Sequence, residues 1–95
     1  MTAYVIVDIE VLDPENYKEY VMLAPETVKL YGGRYLARAG KTETLEGEWQ
    51  AKRLVILEFE SIEKAKQWLN SPEYAPIRAL RHKYAKTNMV VIAGT

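Results

Sequence analysis

Cysteine is absent from the 95 residues, which excludes disulfides, zinc–thiolate centres and thiol nucleophiles together. Serine occurs only at Ser61 and Ser71, and histidine only at His82. Both serines stand ahead of helical patterns as caps, so a Ser-His-Asp hydrolase is not expected. His82 has no second His or Cys at ligand spacing. It stands among Arg78, Arg81, Lys83 and Lys86 near a helix end and reads as a solvated or dipole-facing side chain rather than a metal or haem ligand. Charge of one sign is also lacking: thirteen basic and thirteen acidic residues cancel, leaving no general field to draw nucleic acid or anionic lipid. No long apolar run occurs, and the N-terminus enters a strand pattern without a basic leader. Neither a membrane span nor a signal peptide is expected, and the expected location is the cytoplasm. There is no phosphate-cradling glycine loop or dinucleotide fingerprint, and no cofactor is expected.

Phenylalanine is nearly missing too, with one Phe against seven Tyr and two Trp. A buried tyrosine must find a partner for its hydroxyl, so a core chosen for packing alone would use more Phe. Some of these rings are expected to line a wet boundary or cavity.

What is present is one domain spanning residues 1–95, large enough to bury roughly two-thirds of its unfolded surface and to be stable by about 5 to 14 kcal/mol. Ala3 to Val11 alternate, with Val5, Val7, Ile9 and Val11 on one face and Tyr4, Ile6, Asp8 and Glu10 on the other. Asp13, Pro14 and Glu15 form a cap, a first-turn proline and a first-turn acid. The helix that follows buries Tyr17, Tyr20, Val21, Ala24, Val28 and Tyr31 and is expected to kink or break near Pro25. Gly32 or Gly33 closes it in the left-handed conformation. In the strand after it, period two places Arg34, Leu36 and Arg38 on one face and Tyr35, Ala37 and Ala39 on the other. Gly40 to Arg53 reads as a hairpin-like connection turning at Gly47, with Trp49 either folded over the core or offered to a partner. Arg53 to Phe59 is a third strand. Ser61 caps a helix with Ile62, Ala65, Trp68 and Leu69 inside; Ser71, Pro72 and Glu73 repeat the cap signature. Pro76 divides that turn from a last helical segment, and Met89 to Ala93 forms a fourth strand, apolar on both faces.

The order predicts an α+β, ferredoxin-like βαββαβ chain with a four-stranded antiparallel sheet and its helices on one face. The first and third strands should be central. Tyr4, Ile6, Leu36, Leu54 and Ile56 then remain on a face that nothing in one subunit covers, an apolar patch above the roughly 400 Å² that monomers tolerate. The simplest cover is a second copy, giving a homodimer that closes as a dimeric α+β barrel. Asp8, Glu10, Glu58, Arg34 and Arg38 share this mixed face, and between two sheets they must pair. They serve either as a register-fixing ion network or as a polar pocket for a small polar or anionic ligand. Residues 52–59 lack the glycine and platform aromatics of the RNA-recognition module, which has the same topology, so nucleic acid is not an expected partner.

Tyr4, then Asp13-Pro14-Glu15, Tyr17 and Tyr20, the segment Gly32-Gly33-Arg34-Tyr35-Leu36, then Leu45-Glu46-Gly47 with Trp49, Val55 to Phe59, Ser71-Pro72-Glu73-Tyr74 and Arg81 carry a resemblance over nearly the whole chain. The sequence resembles the family catalogued as domain of unknown function 1330, within the dimeric α+β barrel superfamily. The resemblance implies a ferredoxin-like subunit, a homodimer and a cleft between helices and sheet, and it implies no activity. The family pattern often has Arg-Gly-Gly after the second strand, where this chain has Arg38-Ala39-Gly40, a change expected to tighten the turn mildly. The remaining chemistry is acid-base and binding work by Tyr, Arg, Glu and Asp. A cofactor-free enzyme would hold an anionic or enolisable molecule with Arg34, Arg38 or Arg81 and move a proton through Glu46, Glu58 or a tyrosine. The residues expected in the cleft are Arg38, Glu46, Trp49, Glu58, Tyr74 and Arg81, with Glu46 and Glu58 the candidate catalytic groups. The alternative is a non-catalytic ligand-binding protein or a structural interaction dimer.

Overall fold

Alternation of β-branched with bulkier or polar residues makes the first ordered segment a strand, β1 (Ala3–Val11), in the computed structural model, which describes residues 1–95. Its odd-numbered residues Ala3, Val5, Val7 and Ile9 are buried. Helix α1 (Pro14–Leu30) starts at Asp13, whose side chain accepts from the Asn16 backbone N–H. It ends in a Schellman motif: Gly33 N–H reaches Val28 O at 2.9 Å and Gly32 N–H reaches Lys29 O at 3.0 Å. Gly32 takes φ +76°, open to it because it has no Cβ. Gly33 is needed for a different reason, since a Cβ there would stand 2.6 Å from the Phe59 ring.

Strand β2 (Arg34–Arg38) leads into a segment without regular structure, then β3 (Leu54–Phe59), α2 (Ile62–Leu69), α3 (Ala75–Tyr84) and β4 (Ala85–Ala93). The sheet order is β2-β3-β1-β4, every pair antiparallel. The central pairing of β1 with β3 and the ferredoxin-like class therefore stand as expected. Ser61 caps α2 by accepting from Lys64 N–H, and buried Ser71 accepts from Tyr74 N–H while donating to Trp68 O. Strand β4 begins four residues earlier than its apolar run suggests. Tyr84 passes directly into it, and the pairing with β1 extends to Val11 opposite Ala85.

The break expected near Pro25 is absent and Arg34 and Arg38 do not share a face, for linked reasons. Helix α1 does not break at Pro25. Proline leaves the Val21 carbonyl without its helical donor, and Arg38 Nη2 donates to that oxygen at 2.6 Å. Strand β2 also carries a bulge: Tyr35 opposes Leu57 but Ala37 opposes Ile56, so Leu36 is an extra residue. Parity flips across it. Arg34 lies opposite Glu58 on the open face, while Arg38 lies opposite Val55 on the helix side, so the two arginines do not share a face.

The core lies between the sheet and the helices. Phe59, Trp68, Tyr74, Tyr20 and Tyr17 form a continuous aromatic row with successive ring centroids 5.4, 4.3, 6.4 and 5.1 Å apart. The opposite face carries Tyr4, Ile6, Leu54 and Ile56, half-buried, with Leu36, Val90 and Ile92 exposed. Nothing within the subunit covers it.

Candidate functional site

The parity flip in β2 and the inward parity of residue 53 bring two arginines under α1. Arg38 and Arg53 enter a hollow between α1 and the sheet that is lined by Tyr17, Tyr20, Tyr35, Val21, Val55 and Trp68, among others. Its enclosed space is about 20 Å³, enough for one water molecule, below a mouth open to solvent. The guanidinium of Arg38 lies 4.7 Å from the Tyr35 ring centroid, and that of Arg53 lies 5.8 Å from the Tyr17 centroid.

Two buried polar atoms at this hollow make no bond of regular hydrogen-bond geometry, the Tyr17 hydroxyl and Arg53 Nε, although the two side chains lie near enough for Arg53 to draw the Tyr17 hydroxyl down. Buried donors left unpaired cost about 1–3 kcal/mol each, so such atoms are rare in a subunit whose structure alone must satisfy them. Burial holds the phenols protonated. It pushes the Tyr17 hydroxyl up against the opposing pull of Arg53 and Arg81, it pushes Tyr20 further, and it brings Tyr35 to about 12. Each ring therefore offers an O–H at neutral pH.

Behind Tyr20, its hydroxyl is 2.6 Å from that of Tyr74, and Arg81 Nε donates to the Tyr74 hydroxyl at 3.4 Å. Arg81 is 3% exposed, yet its contacts are to Thr87 Oγ1, Tyr74 and His82, none of them a carboxylate. The only ion pairs in the chain are Lys18 with Glu15 and Arg34 with Glu58. Arg38, Arg53 and Arg81 thus stand on the helix side of the sheet without any acid to neutralise them.

The six residues expected in one cleft divide between the two sides of the sheet. Arg38 lines the hollow, and Tyr74 and Arg81 stand behind its wall. Glu58 is on the open face, bonded to Arg34 Nε at 2.6 Å. Glu46 and the largely exposed Trp49 belong to the segment between β2 and β3, where they border a shallow hollow of about 350 Å³ with Leu45 and Leu54. That segment turns at Gly47 but forms no paired hairpin; Thr44 Oγ1 donates to Trp49 O at 2.8 Å. Trp49 does not fold over the core. Its Nε1–H donates to Asp8 Oδ2 at 2.9 Å, and Asp8 Oδ1 accepts from the Lys52 and Arg53 backbone N–H groups, so Asp8 anchors the connection instead of pairing with an arginine. The bulge that moved Arg38 and the hydrogen bonds that hold Asp8 explain why the expected charge cluster does not form.

Sequence reasoning missed Arg53, Tyr17, Tyr20 and Tyr35 as a group. One signal was available: Arg53 shares the inward parity of Val55, Leu57 and Phe59, an uncommon place for a guanidinium. His82 is exposed, and its imidazole is held below its usual value by partial burial and by the neighbouring Arg81 and Arg78 cations. No three His, Cys, Asp or Glu side chains come together as a metal-binding group, and no helix is long and apolar enough to cross a membrane.

Solved structures share this fold at low identity. A protein of unknown function from Rhodopseudomonas palustris has a TM-score of 0.79 at 13% identity, over 99% of this chain and 82% of that one. The cofactor-independent oxygenase SnoaB from Streptomyces nogalater gives 0.64 at 10% identity, over 99% and 93%. A protein assigned provisionally to antibiotic biosynthesis monooxygenases, from Nitrosomonas europaea, gives 0.65 at 14%, over 99% and 98%. No curated protein matches the chain in sequence. The family whose pattern runs from residue 2 to residue 95 is the domain of unknown function 1330, and the chain belongs to it.

Proposed function

We propose that the protein is a cytoplasmic homodimer that binds a small polar or anionic organic molecule in the cleft beneath α1, acting on it without a cofactor or serving as its binding protein. The observation that carries this reading is the pair of buried atoms that make no bond of regular geometry, Tyr17 Oη and Arg53 Nε, at a hollow bordered by cations with no acid present. Donors without acceptors suit a ligand that brings the acceptors, and because the enclosed space holds one water molecule, only an oxygen of the ligand would enter it while the rest lies in the open mouth. Likeness in fold to a cofactor-independent oxygenase agrees with a catalytic version, in which proton transfer would fall to a tyrosine because Glu46 and Glu58 stand outside this cleft. The alternative, a dimer whose charges only fix register, draws on the Arg34–Glu58 pair of the open face.

The test is thermal denaturation against small organic acids, benzoate among them, with neutral amides of the same shape as controls. A binder gains stability by mass action, about 2.7 kcal/mol at a hundredfold excess over the dissociation constant. The expected result is a shift with acids, none with amides, and loss of the shift in Arg53→Gln. Indifference to every acid in the panel would leave the structural dimer as the better reading.

A further inference from the structure

The hydrogen bonds behind the cleft run in one direction. Tyr74 is wholly buried, and its hydroxyl meets only Arg81 Nε, at 3.4 Å, and the Tyr20 hydroxyl, at 2.6 Å. A guanidinium can only donate. The hydrogen of Tyr74 therefore has a single acceptor within reach, the oxygen of Tyr20, and a buried hydroxyl does not leave its hydrogen unpaired. Once Tyr20 accepts from Tyr74, its own hydrogen is not used by any other bond of the fold. Tyr20 borders the hollow together with Arg53 and with Tyr17, its stacked neighbour, whose hydroxyl makes no bond of regular geometry. Tyr17 and Tyr20 of α1 and Arg53, just ahead of β3, thus line one hollow.

We propose that Arg81, acting through Tyr74, fixes the Tyr20 hydroxyl as a donor aimed into the cleft, so that the ligand is a small organic oxyanion, a phenolate or a carboxylate, whose oxygen sits on Tyr20. The proposal rests on the cleft being a ligand site. In it Tyr20 contacts the ligand, while Tyr74 and Arg81 are positioning residues. Successive bonds in such a chain polarise one another, so the last hydroxyl donates more strongly than an isolated phenol does. The Arg81 charge reaches the cleft through the two hydroxyls without an ion pair that a carboxylate of the protein would have to share.

The experiment titrates the full-length protein with para-nitrophenolate and follows its visible absorption band, with benzoate as competitor and para-nitroanisole as neutral control. Wild type is expected to bind para-nitrophenolate, to hold its band at shorter wavelength than the same anion bound to Tyr20→Phe because the phenolate oxygen accepts the Tyr20 hydrogen bond, and to release it to benzoate. Tyr20→Phe should weaken the anion by about tenfold to a hundredfold, the loss of one bond to a charged acceptor, and move the bound band to longer wavelength. Tyr74→Phe, which never touches the ligand, should weaken it by roughly threefold or more and move the bound band part of that way, while binding of para-nitroanisole, which offers no charged acceptor, falls far less than that of the anion in both. Tyr20 is only half-buried, so its variant gives a reading even if loss of the buried Tyr74 hydroxyl prevents folding. Affinity and band unchanged in Tyr20→Phe would overturn the proposal and leave the cleft reading intact. Failure of wild type to bind para-nitrophenolate would overturn it as well, even with benzoate bound, whereas indifference to every anion removes the cleft reading together with it.

Discussion

Ala39 holds φ +59°, the left-handed region that favours glycine. For a residue with a Cβ that conformation costs about 1–2 kcal/mol, part of which the greater unfolded freedom of glycine would offset. Ala39→Gly is therefore expected to raise stability by about 0.5–1 kcal/mol, read as a higher urea midpoint at unchanged slope. Asp8 works in the opposite sense. Its carboxyl is held below the ordinary value of 3.8, first by the Trp49 indole N–H and then by the Lys52 and Arg53 backbone N–H groups. The unfolded chain thus takes up this proton before the folded one, so the stabilisation is complete above that value and is lost as the pH falls below it. Asp8→Asn should cost about 1–2 kcal/mol at neutral pH, shift Trp49 emission as the indole loses its anchor, and lose its difference from wild type in acid. Pairing Asp8 with an arginine was the natural reading of its face, because a single chain does not reveal that a loop more than forty residues away will turn three N–H groups onto it.

The second strand shows where element-level reading succeeds and where it stops. Helix caps, the glycine pair closing α1 and the alternation of β1 and β3 are local properties, and residues such as Asp13, Ser61 and Gly32 announce them. A bulge is not local: Leu36 is extra only with respect to β3, and every side chain after it changes faces. That one residue moves Arg38 from the open face to the Val21 carbonyl left free by Pro25. The two irregularities compensate each other, which yields a coupling to measure. Arg38→Met is expected to cost about 1 kcal/mol by leaving that carbonyl unpaired. In a Pro25→Ala background the restored backbone N–H serves the carbonyl, and the cost of Arg38→Met should shrink accordingly. Equal costs in both backgrounds would mean that Arg38 does not support the helix.

At the scale of the molecule, the chain is a slab of 35 × 31 × 16 Å by its Cα atoms, with helices on one face only. Tyr4, Ile6, Leu54, Ile56, Val90 and Ile92 make the other face apolar, and the proposed dimer covers it. Ile6→Asp is expected to halve the sedimenting mass, a change that Asp8→Asn should not produce. The apolar open face was legible from alternation alone, whereas the hollow beneath α1 was legible only as an excess of tyrosine, because which polar atoms stay unpaired there depends on how three elements meet. The cleft is the central claim, and a crystal structure grown with benzoate tests it most directly. The carboxylate is predicted beneath α1, within hydrogen-bonding distance of Tyr20 Oη and of Tyr17 Oη or Arg53 Nε. A water molecule alone in that space, with benzoate bound elsewhere or absent, would contradict the account.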